Sequence, residues 1–247
     1  MARNVKTVGG RRATGVLAIV VMSKYPLAGR VKTRLTPALT PQQAADVHAA
    51  LLHHCTRRLA AICDSIGARL RVCFDPPDAA EAFAALLPHV PRAQFFPQSG
   101  GDLGNRLASA AGELRRQPDG SGVLFFGVDS PDVPTASIHS AAALCRQTDV
   151  VVGPTDDGGY WCVGVNARVS VGRLFEGIDW SSGRERAQTV ERAGRLGYTV
   201  ALADDWDDVD RPQDLQRLVH RISSSRDAND RRLLEALNAI LAGENHP

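Results

Sequence analysis

Three groups of side chains in this 247-residue sequence have the charge and spacing to handle phosphate and a divalent cation. The first is Lys24, Gly29, Arg30, Lys32, Thr33 and Arg34, bounded by Pro26 and Pro37. Four cations around a permissive glycine suit the negative oxygens of a phosphate chain. A P-loop is excluded by spacing, because Val31 and not glycine precedes the Lys32-Thr33 pair. The second group is Asp129-Ser130-Pro131-Asp132. Its carboxylates are hard oxygen ligands of the kind Mg²⁺ or Mn²⁺ accepts, although Asp132 also suits a helix cap and Asp129 an Asx-turn. The third is the acidic run from Asp204 to Asp210, interrupted by Trp206 and Val209. So many carboxylates must be solvated or share a cation, which makes Asp210 a second ligand beside Asp129, or a residue near the helix start ahead of Pro212.

Two glycine-rich segments add to these. In Asp156-Asp157-Gly158-Gly159-Tyr160-Trp161 the glycines let a ligand approach the backbone, and Asp157 could orient a hydroxyl or take its proton, the alternative being a plain turn. Gln98-x-Gly100-Gly101-Asp102-Leu103-Gly104-x-Arg106 opens a helix but lacks the glycine order of a dinucleotide fingerprint. His48, His53 and His54 lack zinc-protease spacing and are read as surface residues; Trp180 is read as a core or rim aromatic that could stack on a sugar.

These residues need a scaffold, and the hydrophobic pattern supplies one. Short apolar runs at 16–22, 70–74, 93–96, 123–128, 150–152, 161–165 and 199–203 read as strands. Between them, 41–62, 78–87, 102–116, 135–146, 183–196 and 212–222 read as helices, with Thr40 capping the first and Pro41 at its first position. Alternation of this kind implies a mostly parallel sheet with helices on both faces, that is, a three-layer α/β/α sandwich. Ligands of such sheets bind beyond the carboxyl ends of the strands, where the three polar groups fall. The expected organisation is a basic tail at 1–14, one catalytic domain at 15–222, and a helical extension at 223–247 containing an amphipathic segment from Asp227 to Leu241.

Composition narrows the function. A net charge of +2 and only 5% aromatic residues argue against nucleic acid as a partner. No apolar run approaches the roughly 20 residues of a membrane span, and no secretory leader follows the basic start. The five cysteines form no Cys-x-x-Cys pair, so reduced thiols and a cytoplasmic location are expected.

The motifs together resemble a bacterial family of GT-A-type glycosyltransferase-like proteins, labelled as arsenosugar-biosynthesis glycosyltransferases or as a domain of unknown function. The resemblance rests on Lys24-x-Pro26, Gly29-Arg30-x-Lys32-Thr33-Arg34-Leu35, the Gln98–Arg106 turn, Gly127-x-Asp129-Ser130-Pro131-Asp132, Gly153-Pro154-x-x-Asp157-Gly158-Gly159-Tyr160 and Asp208-Val209-Asp210-x-Pro212-x-Asp214-Leu215, in order between Val16 and Val219. It implies the nucleotide-diphospho-sugar transferase fold and a metal-dependent glycosyl transfer from a nucleoside diphosphate sugar to a small acceptor. Asp129 corresponds to the carboxylate of the Asp-x-Asp metal motif and Asp210 to the later metal-side aspartate, although here the pattern is Asp-Ser-Pro-Asp, with Arg211 and Tyr25 as further departures. The nucleotide and phosphates are expected on Lys24, Gly29, Arg30, Lys32, Thr33, Arg34, Gln98, Asp102 and Arg106. Asp129 and Asp210 are expected on Mg²⁺ or Mn²⁺, Asp157 and Asp129 in catalysis, and Gly158, Gly159, Tyr160 and Trp180 on the acceptor. The same superfamily includes nucleotidyltransferases that act on nucleoside triphosphates and phosphorylated partners, and a non-catalytic nucleotide-binding protein is a third alternative. Donor, acceptor, stereochemistry and oligomeric state are not written in the sequence.

Overall fold

The structure, a computed structural model, describes residues 15–116 and 120–243. The expected tail at 1–14 lies outside the described residues. Seven strands form one sheet: β1 (Val16–Lys24), β2 (Arg69–Asp75), β3 (Phe95–Pro97), β4 (Gly120–Phe126), β5 (Val150–Pro154), β6 (Tyr160–Val165) and β7 (Val200–Leu202). Their order is β3-β2-β1-β4-β6-β5-β7, and every neighbouring pair is parallel except those made by β6. The reversal of β6 follows from chain length. Only residues 155–159 separate it from β5, enough for a hairpin and far short of the dozen or more residues of a parallel crossover.

Helices α1 (Pro41–Ile66), α2 (Ala80–Leu86), α3 (Leu103–Arg115), α4 (Thr135–Cys145), α5 (Val171–Phe175), α6 (Glu185–Arg195), α7 (Pro212–Ser223) and α8 (Ala228–Leu241) cover the sheet. The first is capped as expected, with the Thr40 hydroxyl accepting from the Gln43 amide and the Gln43 side chain accepting from the Thr40 amide. Along β1, Leu17, Ile19 and Val21 face a core built with α1, α2 and α4, whereas Val20 faces a core built with α3, α5 and α6. Both faces are dry, which is why the strand reads as a continuous apolar run. The short α5 and a 3₁₀ turn at Thr33–Leu35 have no counterpart in the hydrophobic pattern.

Of the segment expected as an extension, α8 packs onto the domain, and residues 244–247 lie outside the described residues. Leu233 and Leu237 of α8 join Leu35, Val47, Leu51, Val209, Leu215 and Leu218 in a third buried cluster. The reading of the α1 histidines as surface groups is corrected by the same packing. His48 and His54 are buried, and His54 lies within hydrogen-bond distance of the Pro131 and Asn229 carbonyls. All five cysteines are buried and unpaired; burial pushes Cys55, Cys63, Cys73 and Cys145 up to about 12, so they are unreactive core groups. No helix among the described residues is long and apolar enough to cross a membrane.

Candidate active site

Strand order reverses direction at β1: β2 lies on one side of it and β4 on the other. The loops leaving β1 and β4 therefore face each other across the crevice where open α/β sheets bind ligands.

The loop after β1 turns at Gly29 (φ +74°) and then at Lys32, whose φ of +47° is a left-handed conformation for a residue with a side chain. Such a backbone persists only where the surroundings hold it. Leu35, fully buried, anchors the far end of the loop. The Lys32 ammonium is buried (side chain 4% exposed); it pairs with Asp129, donates to the Val209 carbonyl and lies 3.6 Å from Asp210 Oδ1. Arg34, largely exposed, donates to Asp210 Oδ2 at 2.8 Å.

The loop after β4 is held from below by α1. Arg58 donates to the Pro131 carbonyl and, at 2.7 Å, to that of Val133. Asp129 faces the crevice; burial works to raise its carboxyl, but the Lys32 ammonium holds it below the usual carboxylate range. Asp132 turns away and clamps the structure, accepting from Arg221 Nε at 2.6 Å and Trp206 Nε1 at 3.1 Å. It caps no helix, since Pro134 precedes α4.

The acidic segment 204–210 is pinned by backbone bonds from Trp206 to Pro154 (3.0 Å) and from Val209 to Asp129 (2.7 Å). Val209 is fully buried, so Asp208 and Asp210 turn to the opposite side, into the crevice, while Asp207 pairs with Arg221 at 3.0 Å. Asp214 Oδ2 accepts from the Asp210 and Arg211 amides, which makes Arg211 the residue before α7. Asp157 arrives from the β5–β6 turn. Its Oδ1 accepts from Thr155 Oγ1 (2.6 Å) and the Gly159 amide (2.9 Å). Gly158, at φ +90°, is required here because a Cβ would stand 1.9 Å from the Gly183 carbonyl oxygen.

One carboxylate oxygen from each of Asp157, Asp208 and Asp210 lies within 4.8 Å of the other two. Asp208 is pushed up to about 6 by burial and by the charges of Asp157, Asp210 and Asp129. Three hard oxygen donors in mutual repulsion fit Mg²⁺ or Mn²⁺, whose charge would relieve them. Asp208 is the member that sequence reasoning missed. The expected pair, Asp129 with Asp210, lies in the same crevice with the Lys32 ammonium against both carboxylates.

The crevice has two communicating halves. A basic half of about 420 Å³ is lined by Lys24, Arg30, Lys32, Thr33, Arg34 and His48. An acidic half of about 460 Å³ is lined by Asp157, Gly159, Tyr160, Trp180, Asp208 and Asp210, with Asp129 shared between the two. Ser181, also shared, carries a strained φ of +62°. Three residues expected on the nucleotide have hydrogen-bond partners within the fold. Gln98 donates to the Ser23 and Cys73 carbonyls and accepts from Arg106, whose Nε bonds the Gly101 carbonyl, and Asp102 caps α3 by accepting from Asn105. None of the three lines either half. Trp180 packs against Phe175 at the rim, and the Tyr160 hydroxyl is buried away from water.

A family model described as "Uncharacterized protein conserved in bacteria (DUF2064)" matches residues 56–182, just over half of the chain. The chain belongs to this family. Among curated proteins, none matches this DUF2064 member. Its structure is similar to that of a Desulfovibrio desulfuricans G20 protein described as a putative nucleotide-diphospho-sugar transferase, at 28% identity over 94% of this chain and 99% of that one, with a TM-score of 0.78. More distant likenesses show the fold alone. One is to a CMP:2-keto-3-deoxy-manno-octonic acid synthetase complexed with CTP (12% identity, 84% and 98% of the two chains, TM-score 0.52). Another is to Rv0371c from Mycobacterium tuberculosis H37Rv (18% identity, 84% and 99%, TM-score 0.51). The DUF2064 chain thus has the nucleotide-diphospho-sugar transferase fold.

Proposed function

We propose that this DUF2064 protein is a divalent-cation-dependent glycosyltransferase that moves a sugar from a nucleoside diphosphate sugar to a small acceptor. The observation that carries this reading is the division of one crevice into a basic half and an acidic half that meet at Asp129 and Asp210. Lys24, Arg30 and Arg34 hold the donor phosphates by charge-assisted hydrogen bonds. Asp157, Asp208 and Asp210 hold the cation, which when bound offsets the charge that builds on the leaving diphosphate. Asp157 also faces the space beside Gly159 and Trp180, where it orients the acceptor hydroxyl. The likeness to the Desulfovibrio protein supports the reading.

A second reading, nucleotidyl transfer, is favoured by the three cations of the basic half that lie exposed, Lys24, Arg30 and Arg34, since these would also serve a triphosphate. The test incubates the protein with panels of nucleotide sugars and of nucleoside triphosphates, with and without Mn²⁺. A glycosyltransferase slowly releases nucleoside diphosphate and free sugar even without an acceptor. Release of pyrophosphate from a triphosphate, given a phosphorylated partner and with every nucleotide sugar left intact, selects the second reading. Binding without turnover of either panel would leave a nucleotide-binding protein.

A further inference from the structure

We propose that the Lys32 ammonium is a built-in counter-ion that keeps Asp129 out of the cation's coordination and excludes a second cation, so that one divalent ion binds at Asp157, Asp208 and Asp210. This rests on the cation-dependent reading above and concerns how that site is limited to one ion.

Position is the first argument. Lys32 Nζ touches Asp129, lies 3.6 Å from Asp210 Oδ1 and donates to the Val209 carbonyl. Its contacts are thus two carboxylates and a carbonyl, the oxygen set that a hard cation would seek there. Its side chain is 4% exposed, against 47% for Asp129, so the amine is lodged beneath the carboxylate and does not wave above it. Arg34, by contrast, is 60% exposed and can leave Asp210 for a phosphate.

Charge is the second argument. Five carboxylates line the crevice, Asp129, Asp157, Glu185, Asp208 and Asp210, and Lys32 and Arg34 pair with Asp129 and Asp210. A cation at Asp157 and Asp208 offsets negative charge that Lys32 and Arg34 leave, while the ammonium beside Asp129 and Asp210 repels a second ion there. Removing the amine alone should therefore make the crevice a stronger cation trap, the opposite of what loss of a simple phosphate-binding lysine would do.

The experiment counts bound Mn²⁺ by electron paramagnetic resonance of the free ion, without nucleotide. The parent should bind one Mn²⁺ per chain. Asp129→Asn should still bind one but more weakly, because the Lys32 ammonium is then left uncompensated beside Asp210. Lys32→Met should bind Mn²⁺ at least about tenfold tighter or take up a second ion, since Asp129 and Asp210 lose their resident cation. Lys32→Met/Asp129→Asn should return toward the parent, and Lys32→Arg, which keeps the charge, should still bind one. A Lys32→Met/Asp129→Asn variant that binds Mn²⁺ more than about tenfold more weakly than the parent makes Asp129 a ligand and overturns the proposal; so does a Lys32→Met variant with parental count and affinity. If Lys32→Met fails to fold, Lys32→Gln/Asp129→Asn, which replaces the ion pair by a neutral polar pair, carries the same test. A parent that binds no Mn²⁺ either alone or with a nucleoside diphosphate present removes the cation-dependent reading itself, a different outcome from either of these.

Discussion

Replacing Asp132 with asparagine tests whether this carboxylate, two residues from Pro134 and in the same motif as Asp129, supports the fold and not the cation. Its side chain is 7% exposed and accepts from Arg221 Nε at 2.6 Å, Arg221 Nη2 at 3.2 Å and Trp206 Nε1 at 3.1 Å. Asparagine keeps an oxygen for Trp206 but removes the charge and turns an amide N–H₂ toward the guanidinium. Hydrogen bonds to charged groups contribute about 1.5–3 kcal/mol, and breaking a fully buried pair costs about 3–5 kcal/mol. Arg221 keeps Asp207 at 3.0 Å and is partly solvated, which places the expected loss at the lower end, about 2–3 kcal/mol. For a domain of this size that is a fall in Tm of about 4–12 °C. Mn²⁺ affinity, measured well below the transition, should change little, because the Trp206–Pro154 and Val209–Asp129 backbone bonds still hold the acidic segment. Urea unfolding with an Asp132→Asn, Arg221→Gln double-mutant cycle should give a coupling of about 2 kcal/mol. Loss of cation binding at parental stability would refute the argument and make Asp132 a ligand.

Other consequences are equally direct. Gly158→Ala should destabilise by at least about 3 kcal/mol, since it adds left-handed strain to a 1.9 Å clash with the Gly183 carbonyl, and should also abolish Mn²⁺ binding; parental melting would show that the turn can move. Asp149, 2% exposed, accepts from Arg168 and from the Thr199 amide and hydroxyl at 2.8 Å; burial works to raise its carboxyl, but these bonds hold it low. Its contribution is therefore full above the unfolded value near 3.9 and is lost as pH falls below that, so Asp149→Asn should lower stability by about 2–3 kcal/mol at pH 7 and narrow its gap to the parent in acid. His89 is pushed down to about 4 by burial, His53 and Arg57. The unfolded chain takes the proton first, so stability should fall between pH 6.5 and about 4, by about 1–2 kcal/mol after allowance for solvent, and His89→Gln should flatten that slope in urea titrations.

Much of the scaffold was legible because its strands are buried on both faces and so appear as unbroken apolar runs, as in Val123–Phe126. The antiparallel β6 was also present in the spacing, since 155–159 is too short for a crossover. The site was read less well. Asp208 could have been found by applying a period of two to an extended segment: buried Val209 sends its neighbours 208 and 210 to one side and 207 to the other. No local pattern marks the fates of Lys32 and Gln98. Both are decided by partners distant in sequence, Val209 and Asp129 for one, Ser23 and Cys73 for the other. Likewise His54 reads as a surface residue until α8 is laid across it.

The third buried cluster has a mechanical meaning. Leu35 ends the loop that carries Lys32 and Arg34, and Val209 sits between Asp208 and Asp210; both are plugged into the same packed interior with α7 and α8. Close-packed interiors transmit displacement and resist compression. The basic and acidic halves are therefore mounted on a common chassis, and the gap between them is a dimension set by side-chain volumes away from the crevice. On the function proposed above, the molecule would carry a fixed gauge: a substrate would be measured by the distance from phosphate to cation, and widening or narrowing that cluster by a methylene would recalibrate it without touching a charged residue.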